Sequence, residues 1–341
     1  MPTSISEATP LSKVAVVGDG GWGTALALTL ARSGVDVGLW GHDSDYATFM
    51  RQERTNPRYL PGFEIPRDIT ISSELADLLD GAELLVSAVP TSFLRTVWGG
   101  HTRLLPTTLP ILTVSKGLED ATLLRPSQIL GEVTGERRPV AVLSGPNIAR
   151  EVAKALPSAT VVASTDRSLA LRIQATFRDP SFRVYVNEDM PGVELGGVLK
   201  NVIALAAGMA DGLELGANAK AALVTRGVLE MARLGETFGG QRNTFFGLSG
   251  LGDLFTTCTS PNSRNRTFGE RIGRGERVED IAGSMHQVAE GVKSAKPVHE
   301  LSQRHDLTLP ISTEVYRVVH EGRSPVDSVR ALMERAQRDE G

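Results

Sequence analysis

The first half of the chain alternates short, wholly apolar runs with longer stretches in which apolar residues recur every three or four positions. Short apolar runs read as buried strands and the periodic stretches as helices. Residues 14–17 are the first such strand. A helical pattern follows over 24–32, with Gly34 as its C-cap. Further strands are predicted at 35–40, 69–72, 83–89, 110–114, 139–143, 158–163 and 182–186. Helices are predicted at 46–53, 73–79 (with Ser73 as N-cap), 92–105 and 168–178, and 56–62 reads as a Pro-rich loop. Strands alternating with helices predict a mostly parallel, doubly wound sheet, with ligand-facing residues just past the strand C-termini. His42, Pro90, Lys116 and Gly145-Pro146-Asn147 fall at such ends.

Beyond about residue 190 no convincing strand follows. Residues 193–210 form a long, small-residue helical pattern, 218–238 another, and shorter ones continue to 338. Met190-Pro191-Gly192 reads as a boundary. The expected architecture is α/β. Residues 1–190 are expected to form a sheet domain, and 191–341 an all-helical domain carrying substrate binding and catalysis.

Composition narrows the function. The 341 residues, 41% hydrophobic and 22% charged, suit an ordinary globular protein with two domains. No apolar run approaches the roughly 18 residues that span a bilayer, so no transmembrane segment is expected. The polar residues 1–10 lack the apolar core of a secretory signal. The single cysteine, Cys258, excludes an intramolecular disulfide and fits a cytoplasmic protein. A net charge of −4 gives no basic field for nucleic acid. The six histidines show no ligand spacing, so no metal site is expected, and G-x-S-x-G, the hydrolase elbow, is absent.

The chemistry begins at Gly18-Asp19-Gly20-Gly21-Trp22-Gly23, which has the spacing G-x-G-x-x-G between a strand and a helix. Gly18 permits a tight turn, Gly20 lets backbone approach a pyrophosphate, and Gly23 lets helix pack on strand, with the helix N-terminus facing the phosphates. This predicts dinucleotide binding by a Rossmann-type fold. The adenosine ribose meets the end of the second strand, where an acid favours NAD and a base NADP. His42 and Asp43 point both ways, and each also fits a plain polar turn, so NAD and NADP both stay open.

Lys200 stands alone in an apolar helix pattern, sharing a face with Val193, Gly197 and Ala204. Small neighbours there leave room for a flat ligand, and desolvation would move the lysine toward the range of a general base. The bland alternative is a lysine whose stem covers apolar surface. The glycines of 247–252 suggest a close-approach loop; Asp253 after them would cap a helix or charge-pair with a catalytic lysine. Ser263 and Arg264 would make a phosphate seat at a helix start, or else a solvated basic turn.

With these residues in place, the sequence resembles the bacterial-type NAD(P)-dependent sn-glycerol-3-phosphate dehydrogenases over residues 13–320. The resemblance rests on eight blocks in order. They are G-x-G-x-W-G-T-A (18–25), L-W-G-H-D (39–43), S-K-G-L-E (115–119), S-G-P-N-x-A-x-E (144–151), G-G-x-L-K-N-V (196–202), G-L-x-G-L-G-D-L (247–254), S-R-N-R (263–266) and V-A-E-G-V (288–292). It implies that Gly21 and Trp22 line the pyrophosphate, His42 the adenosine end, and Tyr59, Ala149, Val288 and Glu290 the rest of the cofactor. Lys116 would touch cofactor and substrate, with Gly145 and Asn147 on the substrate side. Lys200 would accept the proton, supported by Asp253 and Thr257. Ser263, Arg264 and Asn265 would hold the substrate phosphate, with Arg264 also near the cofactor. A homodimer and a role in phospholipid supply come with the resemblance. Asp19 departs from the Ala common in this loop, and an acid aimed at the pyrophosphate would weaken binding. The rivals are a hydroxy-acid or 6-phosphogluconate-type dehydrogenase, which needs a carboxylate pocket, and a dinucleotide sensor without turnover.

Overall fold

The computed structural model describes residues 8–136, 138–285 and 289–336. The chain divides into two compact units, Met1–Glu119 with Leu124–Glu194, and Asp120–Leu123 with Leu195–Gly341.

The first unit is built on an eight-stranded sheet. Its strands are β1 (Lys13–Val17), β2 (Asp36–Trp40), β5 (Thr70–Ser72), β6 (Leu84–Ser87), β7 (Ile111–Thr113), β8 (Val140–Ser144), β9 (Ser158–Ser164) and β10 (Phe182–Asn187). The spatial order is β10-β9-β8-β7-β6-β1-β2-β5. Every pairing is parallel except β8 with β9. Residues on β1 alternate between two cores. Val14 and Val16 join Leu26, Leu30 and Leu39 on one face, and Ala15 and Val17 join Trp40, Trp98 and Ile129 on the other. Burial on both faces is why these strands read as unbroken apolar runs.

Several expectations need correction. The predicted loop 56–62 contains a hairpin of β3 (Thr55–Asn56) and β4 (Leu60–Glu64). Its strands are too short and too polar to show period-two alternation. The helix expected over 92–105 is a helix Leu94–His101 between 3-10 turns at Thr91–Phe93 and Thr102–Leu104. The one predicted at 73–79 shrinks to Ala76–Leu79 with no side-chain cap. Ser72, rather than Ser73, holds the turn before it, accepting from the Glu74 N–H at 3.0 Å and donating to Asp77 at 2.8 Å. A helix Pro126–Thr134, unnoticed in the sequence, opens on proline, whose missing N–H costs nothing in the first turn.

Among its described residues the regular elements of the second unit are all helices, joined by turns and loops. The long helix Met190–Gly212, whose residues from Leu195 on belong to this unit, starts three residues before the predicted pattern, with Pro191 and Gly192 in the first turn. Contrary to the sequence reading, this helix is long and apolar enough to cross a membrane, but its apolar window is wholly buried inside the protein. Two of its glycines are packed closely against protein backbone. A Cβ on Gly196 would lie 2.6 Å from the Ser249 carbonyl oxygen, and one on Gly208 2.0 Å from that of Arg266. Gly196 and Gly208 thus serve close backbone packing.

Candidate active site

In the first unit, β1 passes through Gly18 into the helix Gly21–Arg32. Gly18 has φ +117°, and a Cβ there would meet the Ala88 carbonyl oxygen at 2.8 Å. One on Gly23 would lie 1.9 Å from the Gly18 oxygen, and one on Gly21 2.7 Å from that of Tyr59. Over Gly20, in contrast, nothing lies within 4 Å. Gly20 is the N-cap, no side chain caps the helix, and its first turn holds no acid. The loop thus combines helix N–H groups without a side-chain cap and open space above, which fits the pyrophosphate of a dinucleotide.

A residue the sequence reading passed over holds this loop. Buried Asn56 donates to the Asp19 carbonyl at 2.7 Å and to Thr24 Oγ1 at 2.8 Å. Its Oδ1 accepts from the Tyr46 hydroxyl at 2.7 Å and the Tyr59 N–H at 3.2 Å. The only signal for it was a polar residue between strands, which does not separate an anchor from a turn.

Trp22 is half-buried, its ring 6.4 Å from that of Phe182. His42 is exposed at the end of β2. Asp43 caps the helix Ser44–Glu53 by accepting from the Tyr46 N–H at 3.0 Å, and it pairs with Arg58 at 3.2 Å. Those two contacts, the backbone N–H first, pull its carboxyl below the ordinary value. Asp19 does not reach out over the loop. It is buried, with Oδ2 2.6 Å from where a Cβ on Gly41 would sit. Burial pushes its carboxyl up, opposed by its own backbone N–H, His42 and Arg58.

Further along the sheet, Lys116 follows β7, and its Nζ donates to the Gly145 carbonyl at 3.3 Å. A Cβ on Gly145 would lie 2.9 Å from Thr160 Cα. Asn147 is fixed by Thr160 Oγ1, which donates to its Oδ1 at 2.9 Å. Ala149 starts the short helix Ala149–Ala153 and is half-buried.

In the second unit, Lys200 is 8% exposed. Its Nζ donates to Asp253 Oδ1 at 2.7 Å and to Thr257 Oγ1 at 2.8 Å. Asp253 and Thr257 sit one turn apart on the helix Asp253–Thr259, so both face the lysine. Thr257 donates in turn to the Asp253 carbonyl at 2.7 Å, leaving its lone pairs for Lys200. Asp253 is not the N-cap; Gly252 holds that position, and the carboxylate supplies the counter-charge that a buried ammonium requires. This arrangement combines a lysine amine, its counter-ion and a hydroxyl in one buried place.

Ser263 caps the helix Arg264–Gly273, accepting from the Arg266 N–H at 3.3 Å. Arg264 keeps surface exposure, although surrounding protein disfavours its charge and Glu290 favours it. Crowding by protein pushes the Glu290 carboxyl up, opposed by Arg264 and Lys293. Asn265 is buried, donating to Asn201 Oδ1 at 2.8 Å and accepting from the Gly291 N–H at 2.9 Å. Asn201, beside Lys200, is a second residue without a role in the sequence reading; a lone polar residue in an apolar helix was its signal. Val288 lies outside the described residues.

A mostly parallel sheet with an open glycine-lined helix start, followed by helices that bury a lysine against an aspartate, defines a dinucleotide-dependent oxidoreductase. The family described as NAD-dependent glycerol-3-phosphate dehydrogenase matches at residues 13–170 with its N-terminus and at 189–330 with its C-terminus. A Streptomyces coelicolor protein named glycerol-3-phosphate dehydrogenase (NAD(P)+) is 45% identical over 96% of this chain and 98% of its own length. One of the same name from Moorella thermoacetica is 46% identical over 96% and 97%. The crystal structure of glycerol-3-phosphate dehydrogenase from Coxiella burnetii superposes with a TM-score of 0.91 at 40% identity, covering 95% of this chain and 99% of that one. The chain belongs to the NAD-dependent glycerol-3-phosphate dehydrogenase family.

Proposed function

We propose that this protein interconverts sn-glycerol 3-phosphate and dihydroxyacetone phosphate with NAD or NADP, and that Lys200 carries the proton. The observation that supports this role is the buried Lys200 Nζ, held at 2.7 Å by Asp253 and 2.8 Å by Thr257. The bound cofactor supplies hydride chemistry at C2 of the substrate. In the reducing direction the Lys200 ammonium donates its proton to the carbonyl oxygen as that oxygen gains negative charge; in the oxidising direction the neutral amine takes the hydroxyl proton. Asp253 stabilises the ammonium, and Thr257 fixes where it points. Gly18, Gly20, Gly21 and Gly23 seat the pyrophosphate on the helix start, with Trp22, His42, Tyr59, Ala149, Val288 and Glu290 around the rest of the cofactor. Lys116 serves cofactor and substrate, and Gly145 and Asn147 serve the substrate. Ser263, Arg264 and Asn265 take its phosphate, and this remote binding orients the reacting carbon.

The reading extends to a sheet domain of residues 1–190 for the cofactor and a helical domain of 191–341 for substrate and catalysis. It also extends to a cytoplasmic homodimer whose product feeds phospholipid synthesis. A single, buried cysteine supports a reducing compartment. The test is loss of absorbance of reduced nicotinamide when dihydroxyacetone phosphate is added with NADH and, in parallel, NADPH. Oxidation of either is the expected result. No oxidation by protein that binds cofactor would overturn the substrate, and light scattering checks the dimer.

A further inference from the structure

At the end of β2, one carboxylate is already engaged and another is not. Asp43, in the usual place for an acid that reads the ribose, has Oδ1 on the Tyr46 N–H at 3.0 Å and Oδ2 on Arg58 at 3.2 Å. Arg58 is itself laid over the Tyr46 ring, 4.0 Å from its centroid. Asp19 comes from the glycine loop instead. It is 7% exposed; burial disfavours its charged form, while its own backbone N–H, His42 and Arg58 favour it. Its side chain reaches the end of β2, where only a glycine at 41 leaves it space, since a Cβ would stand 2.6 Å from Oδ2. Asn56 holds the Asp19 backbone carbonyl at 2.7 Å, which fixes where this side chain starts from.

We propose that Asp19 accepts a hydrogen bond from the 2′-hydroxyl of the adenosine ribose and makes this chain prefer NADH to NADPH. A 2′-phosphate in that position would bring a second anion against a buried carboxylate, where repulsion is little screened. The preference thus moves from the strand tip, where His42 and Asp43 leave it open, into the glycine loop itself. The proposal rests on the dinucleotide assignment and deepens it.

The test is calorimetric titration with ADP-ribose and 2′-phospho-ADP-ribose, neither of which can be turned over, on wild type, Asp19→Asn and Asp19→Ala. Steady-state kcat/KM for NADH and NADPH runs alongside. Wild type is expected to bind ADP-ribose at least about tenfold more tightly, and Asp19→Asn, which keeps the side-chain volume, to shrink that ratio about tenfold. Asp19→Ala is expected to act in the same direction. A wild-type preference for the 2′-phospho ligand, or a ratio that Asp19→Asn leaves unchanged, would overturn the proposal. A shifted binding ratio in protein that reduces no dihydroxyacetone phosphate would uphold Asp19 while removing the proposed reaction. Failure of wild type to bind either ADP-ribose would remove both.

Discussion

Two stretches of this chain are rich in glycine, residues 18–23 and 247–252, and the structure uses them in opposite ways. In the first, Gly20 looks onto open space, and the helix after it starts with no side-chain cap. In the second, a Cβ on Gly250 would stand 2.1 Å from the Phe245 carbonyl oxygen, and Ser249 is pressed on Gly196. That stretch is a π-helical turn, Leu248–Gly252, running directly into the helix that carries Asp253 and Thr257. The first run leaves its backbone uncovered, where the proposed dinucleotide would sit. The second brings backbone against backbone so that two side chains reach a lysine. Glycine content alone therefore says that something comes close; only the neighbours say whether it is ligand or protein.

Lys200→Ala removes what the second run serves. Turnover is expected to fall by about 10³-fold with cofactor affinity retained, read by single-turnover kinetics and a binding titration. A loss of cofactor affinity instead would merge the two roles. The glycines separate them next. Gly23→Ala and Gly250→Ala should each cost about 3 kcal/mol in denaturant unfolding, since each new methyl meets a fixed carbonyl. Only Gly23→Ala should also weaken NADH binding. Equal losses of binding in both variants would break the distinction. Arg264→Ala should raise KM for dihydroxyacetone phosphate about tenfold to a hundredfold and change kcat less. An unchanged KM would move the phosphate seat elsewhere.

The smallest effect is at Cys258, a buried residue whose thiol is pushed up to about 12 by burial, against the pull of Lys200 and Lys220. Its contribution to stability is fully present below pH 9, the ordinary thiol value here, and is lost as pH rises toward about 12, because the unfolded chain gives up the proton first. Unfolding curves of wild type and Cys258→Ala should converge over that range. Native protein at neutral pH should resist alkylation. Rapid labelling would show that the helix Asp253–Thr259 opens.

The order of strands and helices was legible because both faces of the sheet are buried, which writes each strand as an apolar run. Lys200 was legible because a lone charge in an apolar helix needs a reason. Its counter-ion was legible only as one of two options, because Asp253 after glycines has the look of a cap, and 53 residues separate it from the lysine. Asn56 and Asn201 were not legible as anchors. Each works by satisfying backbone or amide groups distant in sequence, and no local pattern encodes that. The hairpin β3–β4 escaped for a related reason: its strands are short, and Tyr59 matters there through a carbonyl packed against Gly21.

Asn56 has one more consequence. It ties the glycine loop, the helix start and the hairpin together through four hydrogen bonds that need no ligand. A loop of glycines has the most freedom to lose on binding, and here much of that loss has already occurred during folding. Association then becomes docking onto a set surface, with less entropy surrendered at the encounter. A chain carrying Asn56→Ala would still have every glycine, yet would have to order them each time a cofactor arrives.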